Sequence, residues 1–358
     1  MCPDWILPNA DAAGYYRSAL AAGDLKRLRE RGLARLSTVE RVQLGRDVEA
    51  AFDSAALPAA DVLRALEPLA GDPHGAVALV PLGLLGWLDA FAFDPQDPRD
   101  RAHRAALRAR IARLYAPAVA QLGWTPSAGE RSWRRRFRTQ LLGFLALQIE
   151  APPVLAEAAR LGRRMLGLPR RPAGAADRAL HLDAVSPDLA DVALAAAART
   201  GGAEVFDALV DELARSADAQ LRQRILLALA KTRQPPLIAR ALDLALDPRL
   251  RQNERVVALG VLLGAPDTRD AAWTWLTAHF DALMPLLPDR YGGQLPRAIR
   301  MCDRRWIDEV RGFLAPRVEQ LTGGPRTLAQ ALETAEQCVA RVAAQRASVA
   351  AYLDAGPR

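Results

Sequence analysis

The four histidines, His74, His103, His181 and His279, stand alone, and none has another within five residues. A zinc peptidase needs two imidazoles one helical turn apart with a glutamate between them, as in H-E-x-x-H, so that both reach one ion. No such pair occurs, nor does a G-x-S-x-G elbow, a P-loop or a dinucleotide glycine fingerprint. A solitary histidine on a helix is ordinarily a surface or satisfied core residue. The chain is therefore read as carrying no catalytic residue, no metal and no cofactor of its own. Cys2, Cys302 and Cys338 are scattered without metal spacing. No disulfide framework emerges from them, so a reducing, cytoplasmic setting is expected.

Three features could bind rather than react. Arg131, Arg134, Arg135, Arg136 and Arg138 surround Trp133 and Phe137, a basic and aromatic mix suited to a phosphate backbone or a peptide carboxylate. The same pattern is also what an amphipathic helix gives when its aromatics point inward and its arginines stay wet. Arg163, Arg164, Arg170 and Arg171 form a second basic group, read as surface charge. The third is Asp289-Arg290-Tyr291-Gly292-Gly293-Gln294-Leu295, expected to be a glycine-broken turn that displays Arg290 and Tyr291. Arg134, Arg138, Arg290 and Tyr291 are the candidate peptide-binding residues.

These side chains need a scaffold, and the composition points to helices. Alanine, leucine and arginine dominate while β-branched and aromatic residues are scarce, which favours helices because straight side chains lose little rotamer freedom there. Ser37-Thr38-Val39-Glu40 is a capping box followed by Leu44, Val48 and Phe52 at i+4. Pro58 opens a further helix with Val62, Leu66 and Leu69 on one stripe. Residues 97–122 and 129–149 repeat the helical spacing. The apolar run 76–88 is interrupted by Pro81, is too short to cross a bilayer, and reads as a buried helical segment. Residues 168–176, rich in proline, glycine and arginine, are the clearest break. Beyond them, apolar segments starting at Asp191, Arg224 and Arg255 recur 33 and 31 residues apart. That period belongs to α-solenoids, in which each helix pair buries its face on its neighbours. A long amphipathic helix over 327–353 should cap the stack. Trp5-Ile6-Leu7, a Pro-Asn-Ala-Asp turn signal and Tyr15-Tyr16 behind Gly14 read as a short β-hairpin, or as a local plug in which Trp5 and Tyr15 cover the first helices.

The expected fold is thus all-α: an α-α superhelix of HEAT-like or armadillo-like pairs with a short N-terminal β-hairpin. Its parts are residues 1–18 as the end of a preceding β-sandwich or linking hairpin, 19–167 as a first helical layer, 168–176 as a linker or bend, and 177–358 as HEAT-like repeats with the capping helix.

W-I-L-P-N…G-Y-Y-R at 5–17, R-I-L-L-A-L-A-K-T-R at 224–233, A-W-T-W-L-T-A-H-F at 272–280 and R-Y-G-G-Q-L at 290–295 together resemble the C-terminal helical domain of the aminopeptidase N family, which includes the puromycin-sensitive and endoplasmic-reticulum aminopeptidases. In that family the zinc motif and the substrate loop lie in an upstream catalytic domain absent from these residues. The resemblance implies a non-catalytic domain that covers the active site of that upstream domain and encloses or grips the distal part of a peptide. It also implies zinc in the catalytic domain and a parent protein that hydrolyses N-terminal residues from peptides. The expected partners are that domain and the peptide.

The competing reading is a freestanding basic HEAT-like protein that binds nucleic acid or another protein. The formal charge of +7 comes almost wholly from arginine, since Lys26 and Lys231 are the only lysines. However, 41 acidic residues are interleaved with the arginines, as on the stretches 24–31 and 207–215, the pattern of solvated ion-paired faces. Nucleic acid is accordingly not the expected partner, and no membrane segment is expected.

Overall fold

The computed structural model describes residues 3–168 and 180–356, and among them the chain is helical throughout, with no β-strand. The helices are α1 (Ala22–Arg27), α2 (Thr38–Asp53), α3 (Ala59–Ala70), α4 (Gly75–Ala78), α5 (Leu82–Phe91), α6 (Pro98–Leu122) and α7 (Ser132–Leu147). They continue with α8 (Pro152–Met165), α9 (Ala190–Thr200), α10 (Gly202–Arg215), α11 (Ala219–Leu229), α12 (Pro235–Asp243), α13 (Arg255–Gly264), α14 (Arg269–Leu283), α15 (Asp289–Gln294), α16 (Arg304–Val318) and α17 (Gly324–Asp354). Contacts divide the chain into two compact units: residues up to 151 together with those from 340 onward, and residues 152–339. The expected break at 168–176 lies, beyond Leu168, outside the described residues. So does the pair Arg170 and Arg171.

In the first unit, α2 starts at the capping box, where the Glu40 amide donates to Ser37 Oγ (3.3 Å) and the Ser37 amide donates to Glu40 Oε2 (2.7 Å). α2 packs on α3 and α4, α4 on α7, and α6 on α5 and α7. Phe52, Leu66, Leu88, Ile111 and Tyr115, each no more than 1% exposed, form the centre. The apolar run around Pro81 folds as two helices, α4 and α5, because proline cannot donate the bond that would carry one into the other. The start of α3 has no side-chain cap of its own. Its orphan Ala59 and Ala60 amides donate instead to Gln345 Oε1 (2.9 Å) and Ser348 Oγ (3.0 Å) on the last turns of α17, satisfying donors that burial would otherwise penalise. Gln345 Nε2 also donates to the Phe52 and Leu57 carbonyls, at 3.1 and 2.9 Å.

The expected N-terminal hairpin is not present. Ala10–Ala12 is a single 3-10 turn, and the buried Asn9 amide closes the loop around it. Its Nδ2 donates to the Gly14 carbonyl (3.0 Å), and the Gly14 amide donates to its Oδ1 (2.8 Å). One side chain thus makes the two bonds that a partner strand would have made. Trp5 packs onto Gly32, where a β-carbon would come within 2.7 Å of the indole. Tyr15 is fully exposed, so of the two aromatics only Trp5 covers the first helices.

In the second unit, α8 lies along α9, α9 packs on α11 and α11 on α13, while α10 meets α12 and α12 meets α14. Gly162 of α8 lets the backbones close. A β-carbon there would overlap the Ala193 carbonyl and come within 2.8 Å of the Ala197 methyl. Successive helices are also pinned by polar contacts at a near-constant sequence interval. Arg224 pairs with Asp191 and Arg240 with Asp207, each 33 residues away, and Trp275 Nε1 donates to Asp243, 32 residues away.

One expectation about cysteine is corrected. Cys302 and Cys338 form a disulfide with an S–S distance of 2.05 Å across a sequence separation of 36. The pairing depends on tertiary approach of the segment before α16 to α17, and α16 itself is joined to α17 by the Arg311–Glu336 ion pair (3.1 Å). Spacing alone could not reveal it.

Candidate functional site

α7 carries Trp133, Arg134, Phe137 and Arg138 within two turns, yet the fold gives the two candidate arginines different environments. Arg138 is 2% exposed. Its Nη1 and Nη2 donate to the two Glu130 oxygens (both 2.6 Å), and Nε and Nη2 donate to the Leu122 carbonyl at 3.2 and 2.9 Å. The guanidinium therefore closes the C-terminal end of α6, satisfying a carbonyl that the helix leaves without a partner. Its hydrogen bonds hold the Glu130 carboxyl below the usual range, with further help from Arg134. Arg138 is occupied by the fold.

Arg134 lies one turn earlier and reaches solvent, with its side chain 39% exposed. It donates to the Gln121 carbonyl (2.9 Å) and lies 3.2 Å from Glu130. Beside it the Trp133 indole is stacked on His74, with centroids 5.4 Å apart and planes 7° from parallel. His74 caps α4, its Nδ1 accepting from the Ala76 amide (3.3 Å). Gly75 leaves room for Phe137, whose Cγ would lie 2.7 Å from a β-carbon there. Between the α3–α4 turn, the C-terminal half of α6 and the start of α7 is a cavity of about 110 Å³ lined by Asp72, Leu114, Pro117, Trp133, Arg134 and Phe137, among others. Sequence reading missed Asp72 and His74 as neighbours of this site. The available signal was Asp72-Pro73-His74 directly after the Gly71 that ends α3, a capping turn between two short apolar helices.

Arg131, Arg135 and Arg136 are exposed. None of the three has an ion pair among the described residues. Of the second basic group, Arg163 pairs with Glu204 (2.8 Å).

Arg290 and Tyr291 belong to the second unit. The segment expected as a glycine-broken turn is instead the short helix α15, followed by a 3-10 turn, Leu295–Ala298. Its glycines serve close packing, since a β-carbon on Gly293 would overlap the Thr322 carbonyl. The exposed Arg290 guanidinium lies 5.1 Å from the Tyr291 ring centroid, a cation–π contact. The structure thus brings Arg134 and Arg138 together on Glu130, and Arg290 onto Tyr291.

Among the described residues no three histidine, cysteine, aspartate or glutamate side chains converge as a metal site. His103 Nε2 meets Asp354 (2.9 Å), and His279 Nδ1 meets the Trp275 carbonyl (2.8 Å). No single helix among the described residues is long and apolar enough to cross a membrane.

A helical chain with this site matches the family model described as the ERAP1-like C-terminal domain over residues 5–337, and it belongs to that family. It is also similar to aminopeptidase M1-B of Oryza sativa subsp. japonica, 24% identical over 293 residues, which is 79% of this chain and 31% of the rice protein. The chain thus spans about a third of the length of that relative.

Proposed function

We propose that this chain is the non-catalytic C-terminal domain of a zinc aminopeptidase. It covers the active site of an upstream catalytic domain and encloses or grips the distal part of a peptide whose N-terminal residue lies at the zinc. The observation that carries this reading is the family match over nearly the whole chain. The interval of 32 to 33 residues between pinned helices of the second unit supports the HEAT-like array as its scaffold. Closure of such a domain would exclude water and folded proteins from the reacting bond. The zinc and its ligands would belong to the upstream domain. Arg134, Arg290 and Tyr291 are the residues with solvent access to a peptide, whereas Arg138 contributes by holding the end of α6. Nucleic acid is disfavoured as a partner because many arginines are already neutralised by acids, as at Arg104, Arg108, Arg110 and Arg240. A disulfide persists in oxidising surroundings, so the cytoplasmic setting expected from scattered cysteines is not carried into this proposal.

The test uses the longer protein that contains this chain. Arg290→Ala should raise KM for a ten-residue peptide and leave KM for an aminoacyl-arylamide unchanged, because the short substrate does not reach this domain. Equal effects on both substrates, or on neither, would count against gripping. One tightly held zinc in the purified 358-residue chain, or arylamide hydrolysis by it, would overturn the non-catalytic reading.

A further inference from the structure

We propose that the cavity between the α3–α4 turn, α6 and α7 is a binding site for a small aromatic acid, with the ring against Trp133 and Phe137 and the carboxylate on Arg134. This goes beyond the peptide reading and does not rest on it.

The volume, about 110 Å³, is on the scale of an engineered cavity that accepts a single benzene ring, so one ring fits with its substituent directed toward solvent. The walls suit a flat apolar body. Trp133 is fixed by His74 stacked parallel to it, Phe137 is buried, and Leu114 and Pro117 of α6 complete the lining. A preformed aromatic wall of this kind makes an offset-stacked contact without first having to be ordered.

The polar side of the cavity selects charge. Asp72 is the only acid in the lining, and both its oxygens are engaged, Oδ2 by Arg41 Nε (2.8 Å) and Oδ1 by the His74 amide (2.8 Å). It is therefore not a free counter-ion for a cation. Arg134 is held by Glu130 and the Gln121 carbonyl through Nε and Nη2, and its Nη1 makes no hydrogen bond among the described residues. That nitrogen is a positioned donor for a carboxylate oxygen. Arg131, just before α7, and Arg135, on it, both exposed and without an ion pair among the described residues, flank it and add a positive field that attracts an anion.

The test is calorimetric titration of the 358-residue chain with benzoate, benzyl alcohol, acetate and inorganic phosphate. Benzoate should bind with a Kd of about 1 mM or tighter, and tighter than each of the other three. Arg134→Gln should weaken benzoate at least about tenfold and leave benzyl alcohol unchanged. Ala118→Leu, which fills the cavity from α6, should abolish binding of both while the circular dichroism spectrum stays that of the parent. Benzoate binding no tighter than acetate or phosphate would overturn the proposal. So would benzoate binding that neither substitution affects, since the anion would then be held elsewhere on the basic surface.

Discussion

Replacing Arg222 by methionine should cost the second unit about 3 kcal/mol. Arg222 and Glu254 are 7% and 3% exposed and form a two-point contact, Nε to Oε1 and Nη2 to Oε2, both 2.7 Å. Nη1 donates to the Leu213 and Ser216 carbonyls at 2.6 and 3.3 Å, closing the end of α10. Methionine keeps most of the volume but leaves Glu254 charged in a dry site. Breaking a buried pair from one side costs about 3–5 kcal/mol, and the lower end applies because the Arg251 amide still donates to Glu254 (3.0 Å). That is a loss of about two orders of magnitude in the folding constant, or a fall in the urea midpoint of roughly 1–2 M. The assay is urea unfolding followed by tryptophan fluorescence. The pH dependence should identify the cause. Hydrogen bonds from Arg222 hold the Glu254 carboxyl below its ordinary value, so this stabilisation is present above the unfolded value near 4.3 and is lost as pH falls through the folded one. In the variant the buried, unpaired Glu254 carboxyl is raised and takes its proton before the unfolded chain does. The gap from the parent should therefore already narrow as pH falls toward the unfolded value and narrow further below it, where the parent loses its own stabilisation. The double variant Arg222→Met, Glu254→Met should recover much of the loss. A cost under about 1 kcal/mol, a gap independent of pH, or a double variant no better than the single one would refute the reasoning.

Glu49 offers the opposite sign. Burial, then the charge of Asp53, pushes its carboxyl up to about 7, so the favoured protonated form is fully present below about pH 4 and its contribution is lost as pH rises through 7. Glu49→Gln should leave stability at pH 5 nearly unchanged and gain about 1–2 kcal/mol at pH 8 after allowance for partial exposure, and parallel stability curves for the two proteins would contradict it. With Cys302 and Cys338 bridged, thiol titration of oxidised, unfolded chain should find one reactive cysteine, and three only after reduction. Cys302→Ser, Cys338→Ser should lower stability by about 3–4 kcal/mol, the chain-entropy value for a loop of this length, whereas three thiols before reduction would exclude the bridge. Gly162→Ala should destabilise by about 2–3 kcal/mol because its methyl meets backbone rather than a side chain that can turn away, and hydrogen exchange should rise first in α8 and α9. Unchanged protection there would mean the two backbones can separate freely.

Local signals carried most of the helical architecture. Ser37 and Glu40 cap α2 as their spacing requires, α6 begins where Asp97 accepts from the Arg99 amide (2.8 Å), and the expected long helix over 327–353 is α17. What failed depended on distant chain. Trp5-Ile6-Leu7 has the composition of a strand, but pairing needs a partner, and the chain that would return as one is closed into a loop by the Asn9 side chain on the Gly14 backbone. The glycines of α15 read as a turn because their reason, the Thr322 backbone, lies far along the sequence. The cysteine pair was hidden for the same cause. Arg134 and Arg138 look alike in any sequence pattern, since both sit on one stripe of α7, and only the position of the end of α6 decides that one is sealed in and the other reaches the cavity.

Two of the buried arginines, Arg138 and Arg222, share a design with consequences for how such a chain can vary. Each fastens three separate pieces of chain at one point: its own helix, the open end of the preceding helix, and a glutamate from a loop or helix start. Such a joint fixes the angle of a corner independently of the apolar seam beside it. Moving the glutamate by one turn would re-aim the corner while leaving the core sequence alone, so the angle between two consecutive helices can be tuned by a single acidic position rather than by repacking the interior.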